Sequence, residues 1–166
     1  DLFAAVISDS LMVPNVFVLV FPVTGYLYLT RRRLAAASTL AIPLIGAVGI
    51  HILKFFFRRE RPPGAHFYEP TGGFPSGHAL AAVIVYGLLG YLLCRSVLRQ
   101  RWQRVVLIAL TAALILCSGL VRLYQQVHYP SDIYAGYAVG MMILCAGIAA
   151  LETLERRADQ VSHQVG

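Results

Sequence analysis

The sequence predicts an all-α fold, a polytopic transmembrane helical bundle with five spans visible. Three observations carry that expectation. Of 166 residues, 58% are hydrophobic and only 13% charged, where soluble domains carry about 25% charged residues. The apolar residues gather in five runs free of charge. Turn formers and arginines gather between those runs. Disorder is excluded, because it needs low hydrophobicity and high net charge. Core helices of a large soluble protein would read similarly, but five such runs in so short a chain leave almost nothing to cover them.

A membrane helix takes about 20 apolar residues, with a range of roughly 17–25. The first run, Ser10–Thr30, contains Pro14 and Pro22, which membrane helices tolerate better than soluble ones do. Leu34–Leu53 follows, interrupted only by His51 and carrying Pro43. Ala79–Cys94 is the shortest and reaches the required length once the small residues before it are counted. Val105–Val121 and Ile133–Leu151 complete the set. The longest connection runs from about Arg58 to Ser76, where Glu60-Arg61-Pro62-Pro63-Gly64 and Thr71-Gly72-Gly73 forbid a helix. The polar tail Glu152–Gly166 is expected to fray. With no internal repeat, residues 1–166 read as a single integral-membrane domain. Cys94, Cys117 and Cys145 lie inside apolar runs without metal-ligand spacing and read as small buried hydrophobes. The chain opens at Asp1 without Met or a signal peptide, as the ordered part of something longer would.

Charge sets the orientation. The net charge is +6, and thirteen of the fourteen basic residues are Arg, the side chain suited to bidentate phosphate contacts. Alternating spans send Arg31-Arg32-Arg33, Arg95, Arg99, Arg101, Arg104, Arg156 and Arg157 to one face. Lys54, Arg58, Arg59, Arg61 and Arg122 go to the other, with Asp1 and Asp9. The positive-inside rule puts the first face in the cytoplasm. The expectation is a protein of the plasma (inner) membrane, with lipid and bilayer as partners and no nucleic acid. The cations of the extracytoplasmic face then need another reason to be there.

That face collects the end of span two, the start of three, the end of four and the start of five. Residues distant in sequence converge there: Lys54 and Arg61-Pro62, then Pro75-Ser76-Gly77-His78, then Arg122, His128 and Asp132. Lys54, Arg61 and Arg122 can hold phosphate oxygens. Ser76 and Gly77 stand at a helix start, where backbone N–H groups and a hydroxyl can face an anion. His78, His128 and Asp132 supply the side chains for a nucleophile, a general acid and an orienting carboxylate. Each residue taken singly has a plainer reading. A lysine near a helix end commonly snorkels, and an Asp after Pro130-Ser131 commonly answers a helix dipole. Their joint occurrence at one membrane edge makes a functional site the stronger reading.

Together, Lys54-x6-Arg61-Pro62, Pro75-Ser76-Gly77-His78 and Arg122-x5-His128-x3-Asp132 resemble the three-part signature of the type 2 phosphatidic acid phosphatase family. These membrane lipid phosphate phosphatases share their active-site pattern with vanadium haloperoxidases. The motifs run from residue 54 to 132 in the family's order and spacing. Two departures stand out. Val121 occupies a place where the family commonly has Ser, and five spans are visible where members usually have six. The sixth would precede Asp1.

The resemblance implies that His128 attacks phosphorus to form a phosphohistidine, oriented by Asp132. His78 would protonate the leaving oxygen and later activate water. Lys54, Arg61, Ser76, Gly77 and Arg122 would hold the phosphoryl oxygens. Asp132 should raise the pKa of His128 and the cations should lower it; the sequence leaves that balance open. No metal and no cofactor are expected, because three fixed cations would repel a divalent ion. Arg59 reads as a contact for a second phosphate or headgroup, and Tyr124, Tyr129 and Trp102 as interfacial anchors. The substrate is a phosphorylated lipid: phosphatidic acid, phosphatidylglycerol phosphate or a polyprenyl diphosphate. A lipid phosphotransferase using the same intermediate, and a non-enzymatic anionic-lipid transporter, remain as alternatives.

Overall fold

A computed structural model describes residues 13–63 and 72–165. Five helices follow one another: α1 (Val13–Leu29), α2 (Arg33–Phe57), α3 (Gly77–Ser96), α4 (Arg101–Tyr124) and α5 (Pro130–Val165). No strand occurs among the described residues. The expected features at Asp1, Asp9, residues 10–12 and loop positions 64–71 lie outside them. Four of the helices, α2 to α5, are long and apolar enough to cross a membrane. The 17-residue α1 sits at the lower end of the spanning range.

The bundle is apolar on its outside. Leu44, Phe56, Leu110 and Met142 are all more than half exposed, which suits a hydrocarbon solvent and not water. α3 is the hub. It packs most extensively on α5 and also on α4 and α2, while α2 touches α5 and α1 rests on α2. Leu80, Val83, Ile84 and Leu88 of α3 are almost fully buried. Thr24 of α1 and Thr39 of α2 share a hydrogen bond of 2.6 Å between their hydroxyls, the sort of polar link that joins helices in lipid.

Lipid tails are as apolar as leucine, so close packing has to join the helices. α5 supplies it through Gly136 and Gly140, a G-x-x-x-G pair. A Cβ at Gly136 would lie 2.5 Å from the Ser76 carbonyl oxygen, and one at Gly140 2.9 Å from that of Leu80. The start of α3 is thus pressed backbone to backbone against α5, and Ser76 N–H donates to the Asp132 carbonyl at 2.9 Å.

Three sequence expectations need correction. Helices α2 to α5 outrun their charge-free runs at both ends, because Lys54, Arg95, Arg101 and Arg122 are good helix formers that hydropathy alone excludes. The tail does not fray: α5 continues as helix to Val165. Tyr91 donates to Glu152 at 2.9 Å and Arg95 pairs with Glu155 at 2.6 Å, so α3 holds the extension. Cys117 and Cys145 are exposed and Cys94 is half-buried, since an apolar side chain in lipid need not face the core.

Candidate active site

The four helix termini expected at one membrane edge do meet there. Lys54 lies in the last turn of α2, and Arg58 caps that helix in the left-handed region, φ 42°. The chain then leaves as Arg59-Glu60-Arg61 and returns at Gly72-Gly73. Gly73 N–H donates to the Arg59 carbonyl at 2.7 Å. A Cβ on Gly73 would meet Arg61 Cγ at 3.3 Å, so the hairpin-like crossing leaves little room for a larger residue. Ser76 caps α3, its hydroxyl oxygen accepting from Ala79 N–H at 3.4 Å. Past α4, Gln126 turns the chain at φ 57°, and His128 follows just before α5.

The side chains interlock across these elements. Arg61 Nη1 donates to the Val127 carbonyl at 3.0 Å, joining the α2–α3 connection to the α4–α5 turn. Arg122 is buried, and its Nη1 donates to the Gln125 side chain at 3.0 Å. Arg122, His128, Lys54 and Arg61 all lie close enough to His78 to act on it electrostatically. The same three cations act on His128. Both histidines and Lys54, Arg61 and Arg122 therefore share one small region.

Asp132 is fully buried, and two groups hold its carboxylate firmly. Arg59 Nη1 donates to Oδ1 at 2.9 Å, and Tyr129 N–H donates to Oδ2 at 2.8 Å. His128 Nδ1 stands 3.5 Å from Oδ2, a long separation for a hydrogen bond, and has no hydrogen-bond partner among the described residues. The carboxylate's strong bonds thus go to Arg59 and the α5 N-terminus, with the imidazole alongside. Arg59 also donates to Ser131 Oγ at 2.8 Å and lies over the Tyr129 ring at 4.5 Å.

His128 is pushed down to a pKa of about 3. Burial is the largest cause, followed by the charges of Arg61 and Lys54; a hydrogen bond to the Gly73 backbone opposes them. The cations and burial prevail over any help from Asp132, so His128 is a neutral imidazole at pH 7 and keeps a nucleophilic lone pair.

Some details differ from the sequence reading. The Ser76 N–H, expected to face an anion, is spent on the Asp132 carbonyl. The first-turn donors of Gly77 and His78 are those that helix geometry leaves without intrahelical partners. Arg59 donates to Asp132, a partner the sequence reading did not give it, and Tyr129 is its stacking platform. Arg59 and Asp132 are 73 positions apart, so no local pattern marks the pair. Gln125, three residues after Arg122, has a spacing that could have revealed it. Tyr124 and Trp102 are exposed. Among the described residues, no three His, Cys, Asp or Glu side chains group as metal ligands would.

The PAP2 superfamily model matches residues 34–156, most of the chain and every element that builds the site. This chain belongs to the PAP2 superfamily. Phosphatidylglycerophosphatase B of Bacillus subtilis (strain 168) is 32% identical over 95 residues, which cover 55% of this chain. The match spans about half of that relative, 46% of its length. The crystal structure of a transmembrane PAP2-type phosphatidylglycerolphosphate phosphatase from Bacillus subtilis superposes with a TM-score of 0.82. It covers 91% of this chain and 76% of the other at 20% identity, a likeness of fold. The PAP2 bundle is therefore the frame in which these helix ends meet.

Proposed function

We propose that this chain is a metal-independent lipid phosphate phosphatase acting at the extracytoplasmic face of the plasma membrane, with phosphatidylglycerol phosphate as the favoured substrate. The observation that carries it is the convergence of Lys54, Arg61 and Arg122 on two histidines at one edge of the bundle. The curated relative's name, phosphatidylglycerophosphatase B, supports the choice of lipid. Nine arginines on the opposite face, from Arg31 to Arg157, support the orientation.

Phosphoryl transfer asks mainly for positioning and for stabilising charge on the equatorial oxygens. Lys54, Arg61 and Arg122 do that, with the first N–H groups of α3. Neutral His128 attacks: its Nε2–P bond forms as the bond from phosphorus to the lipid oxygen breaks. His78 passes a proton to that departing oxygen. Attack through Nε2 needs the proton of neutral His128 on Nδ1, beside Asp132 Oδ2, and shortening of the 3.5 Å separation would stabilise the imidazolium character that develops. Water then attacks phosphorus as the Nε2–P bond breaks and restores neutral His128, His78 takes the water's proton, and inorganic phosphate leaves.

Two substitutions test the division of labour. His128→Ala should lose nearly all turnover on every substrate. His78→Ala should lose about 10²–10⁴-fold on a lipid phosphate, and a nitrophenyl phosphate, whose leaving group needs little protonation, should partly rescue it. Rescue of His128→Ala with His78→Ala left dead would exchange the roles. Indifference to both, in folded protein, would end the enzyme reading. Phosphate release should survive EDTA; loss that a divalent ion restores would overturn the metal-free mechanism. Phosphate appearing only on a second lipid would make the protein a phosphotransferase.

A further inference from the structure

The opposite end of the bundle carries a second cluster of cations, and it lines a cavity. Arg31, Arg32, Arg33, Arg95, Glu155 and Asp159 surround a recess of about 450 Å³ between the α1–α2 turn, the end of α3 and the extension of α5. None of these residues takes part in the chemistry at the histidine end.

The geometry points to a binding site for the phosphate of an anionic glycerophospholipid from the adjacent leaflet. Charge is the first reason. Three consecutive arginines form one wall, and Glu155 on the other wall is already bound by Arg95 at 2.6 Å. The recess therefore stays cationic despite its carboxylates. Construction is the second. Arg32 Nη1 donates to Ser96 Oγ at 2.6 Å, fixing the α1–α2 turn against the end of α3. Arg95 is held from both sides by Tyr91 and Glu155. Arg31 occupies the left-handed region at φ 65°, where glycine would serve the turn at lower cost. A cation is thus held at that corner against its backbone preference.

Position is the third reason, and it selects a lipid over a free anion. Leu34 and Leu92 belong to the lining, and the apolar side chains of Leu29, Leu93 and Val97 are exposed beside it. A phosphate in the recess would have its acyl chains beside that surface. Basic pockets between helices at a membrane edge suit such headgroups. Asp159 can accept hydrogen bonds from a headgroup that carries hydroxyls, and phosphatidylglycerol meets both requirements.

The test uses the full chain in nanodiscs containing either phosphatidylglycerol or phosphatidylcholine with a diazirine in one acyl chain, and maps adducts by mass spectrometry. Adducts at residues 29–35 and 92–97 should form with phosphatidylglycerol and be at least several-fold weaker with phosphatidylcholine. The Arg31→Gln/Arg33→Gln variant should lower phosphatidylglycerol labelling by roughly tenfold or more, an arginine near an anionic surface being worth on the order of fivefold. Arg99→Gln, on the same face but outside the recess, should leave labelling unchanged. Equal loss in Arg99→Gln would reduce the effect to general surface attraction and overturn the site. So would labelling indifferent to headgroup, or displacement by millimolar inorganic phosphate as effective as by phosphatidylglycerol. Monodisperse elution of each variant establishes that it has folded, independently of phosphatase activity.

Discussion

Substituting Gly136 by Ala tests how the bundle sets its site. A Cβ there would fall 2.5 Å from the Ser76 carbonyl oxygen and 2.9 Å from Ala79 Cβ. The first obstacle is backbone, so no side-chain rotation relieves it. Restoring ordinary contact near roughly 3.5 Å requires the two helices to part by on the order of 1 Å. Overpacking of this kind costs about 1–3 kcal/mol. The same displacement stretches the 2.9 Å bond from Ser76 N–H to the Asp132 carbonyl and carries His78 away from His128. A misplacement of about 1 Å costs on the order of 10²-fold in rate. Gly49→Ala is the control, because its nearest neighbour would be Ile143 Cδ1 at an ordinary 3.9 Å. Stability is read from unfolding in a mixed-micelle titration and turnover from phosphate release, both in the same detergent. Gly136→Ala should lose on both measures and Gly49→Ala on neither. If the two variants behave alike, the α3–α5 backbone contact does not position the site and the reasoning fails.

Three further outcomes follow from particular contacts. Arg59→Gln deprives the buried Asp132 of its 2.9 Å partner; with Arg59 partly solvated, about 1 kcal/mol of stability and roughly tenfold in turnover should go. Arg58→Gln, its exposed neighbour, should cost neither, and equal effects at 58 and 59 would refute the assignment. His128, held at a pKa of about 3 when folded against the ordinary 6.5, binds fewer protons folded than unfolded between those values. Its contribution to stability should accordingly fall as pH drops through that window, by at most about 1.4 kcal/mol per pH unit. His128→Asn should flatten the profile of melting temperature against pH; an unchanged slope would show that His128 is not its source. In a cysteine-free background, an impermeant thiol reagent should label Pro63→Cys in intact cells and spare Gln100→Cys, and the reverse pattern would invert the proposed topology.

The architecture was legible because hydrocarbon imposes a simple condition, a long stretch without charge. Helix ends were less so, because Lys54, Arg95 and Arg122 are helical yet charged, and a hydropathy run stops where they begin. The tail was misread for the same reason: its order comes from Tyr91 and Arg95 on another helix. The catalytic candidates could be named because their spacing is local within each motif, and alternating topology was enough to bring the motifs to one edge. What holds them was hidden. Arg59 with Asp132, Arg61 with the Val127 carbonyl, and Gly136 against Ser76 are contacts between remote positions. The pKa of His128 was undecided for a related reason. Its largest cause is burial, which depends on the assembled bundle and on no single neighbour.

The arginines at the two ends of this bundle answer to different physics, although the composition counts them together. Orientation in a membrane needs only positive charge near a helix end, and exposed side chains satisfy it. Arg99, Arg101, Arg156 and Arg157 are exposed and fit that role. At the histidine end the cations are committed: Arg122 is buried against Gln125, Arg61 holds the Val127 carbonyl, and Arg59 holds Asp132. Burying Arg122 near half-buried Lys54 and Arg61 costs free energy that orientation would never require. Under the proposed function, the negative charge of a bound phosphate would offset that cost. The same charge would offset the share of the His128 shift that comes from Arg61 and Lys54, while burial, the largest cause, would remain. A neutral imidazole before the substrate arrives, and an imidazolium-like one tolerated once phosphate is bound, is the sequence of states that nucleophilic attack requires.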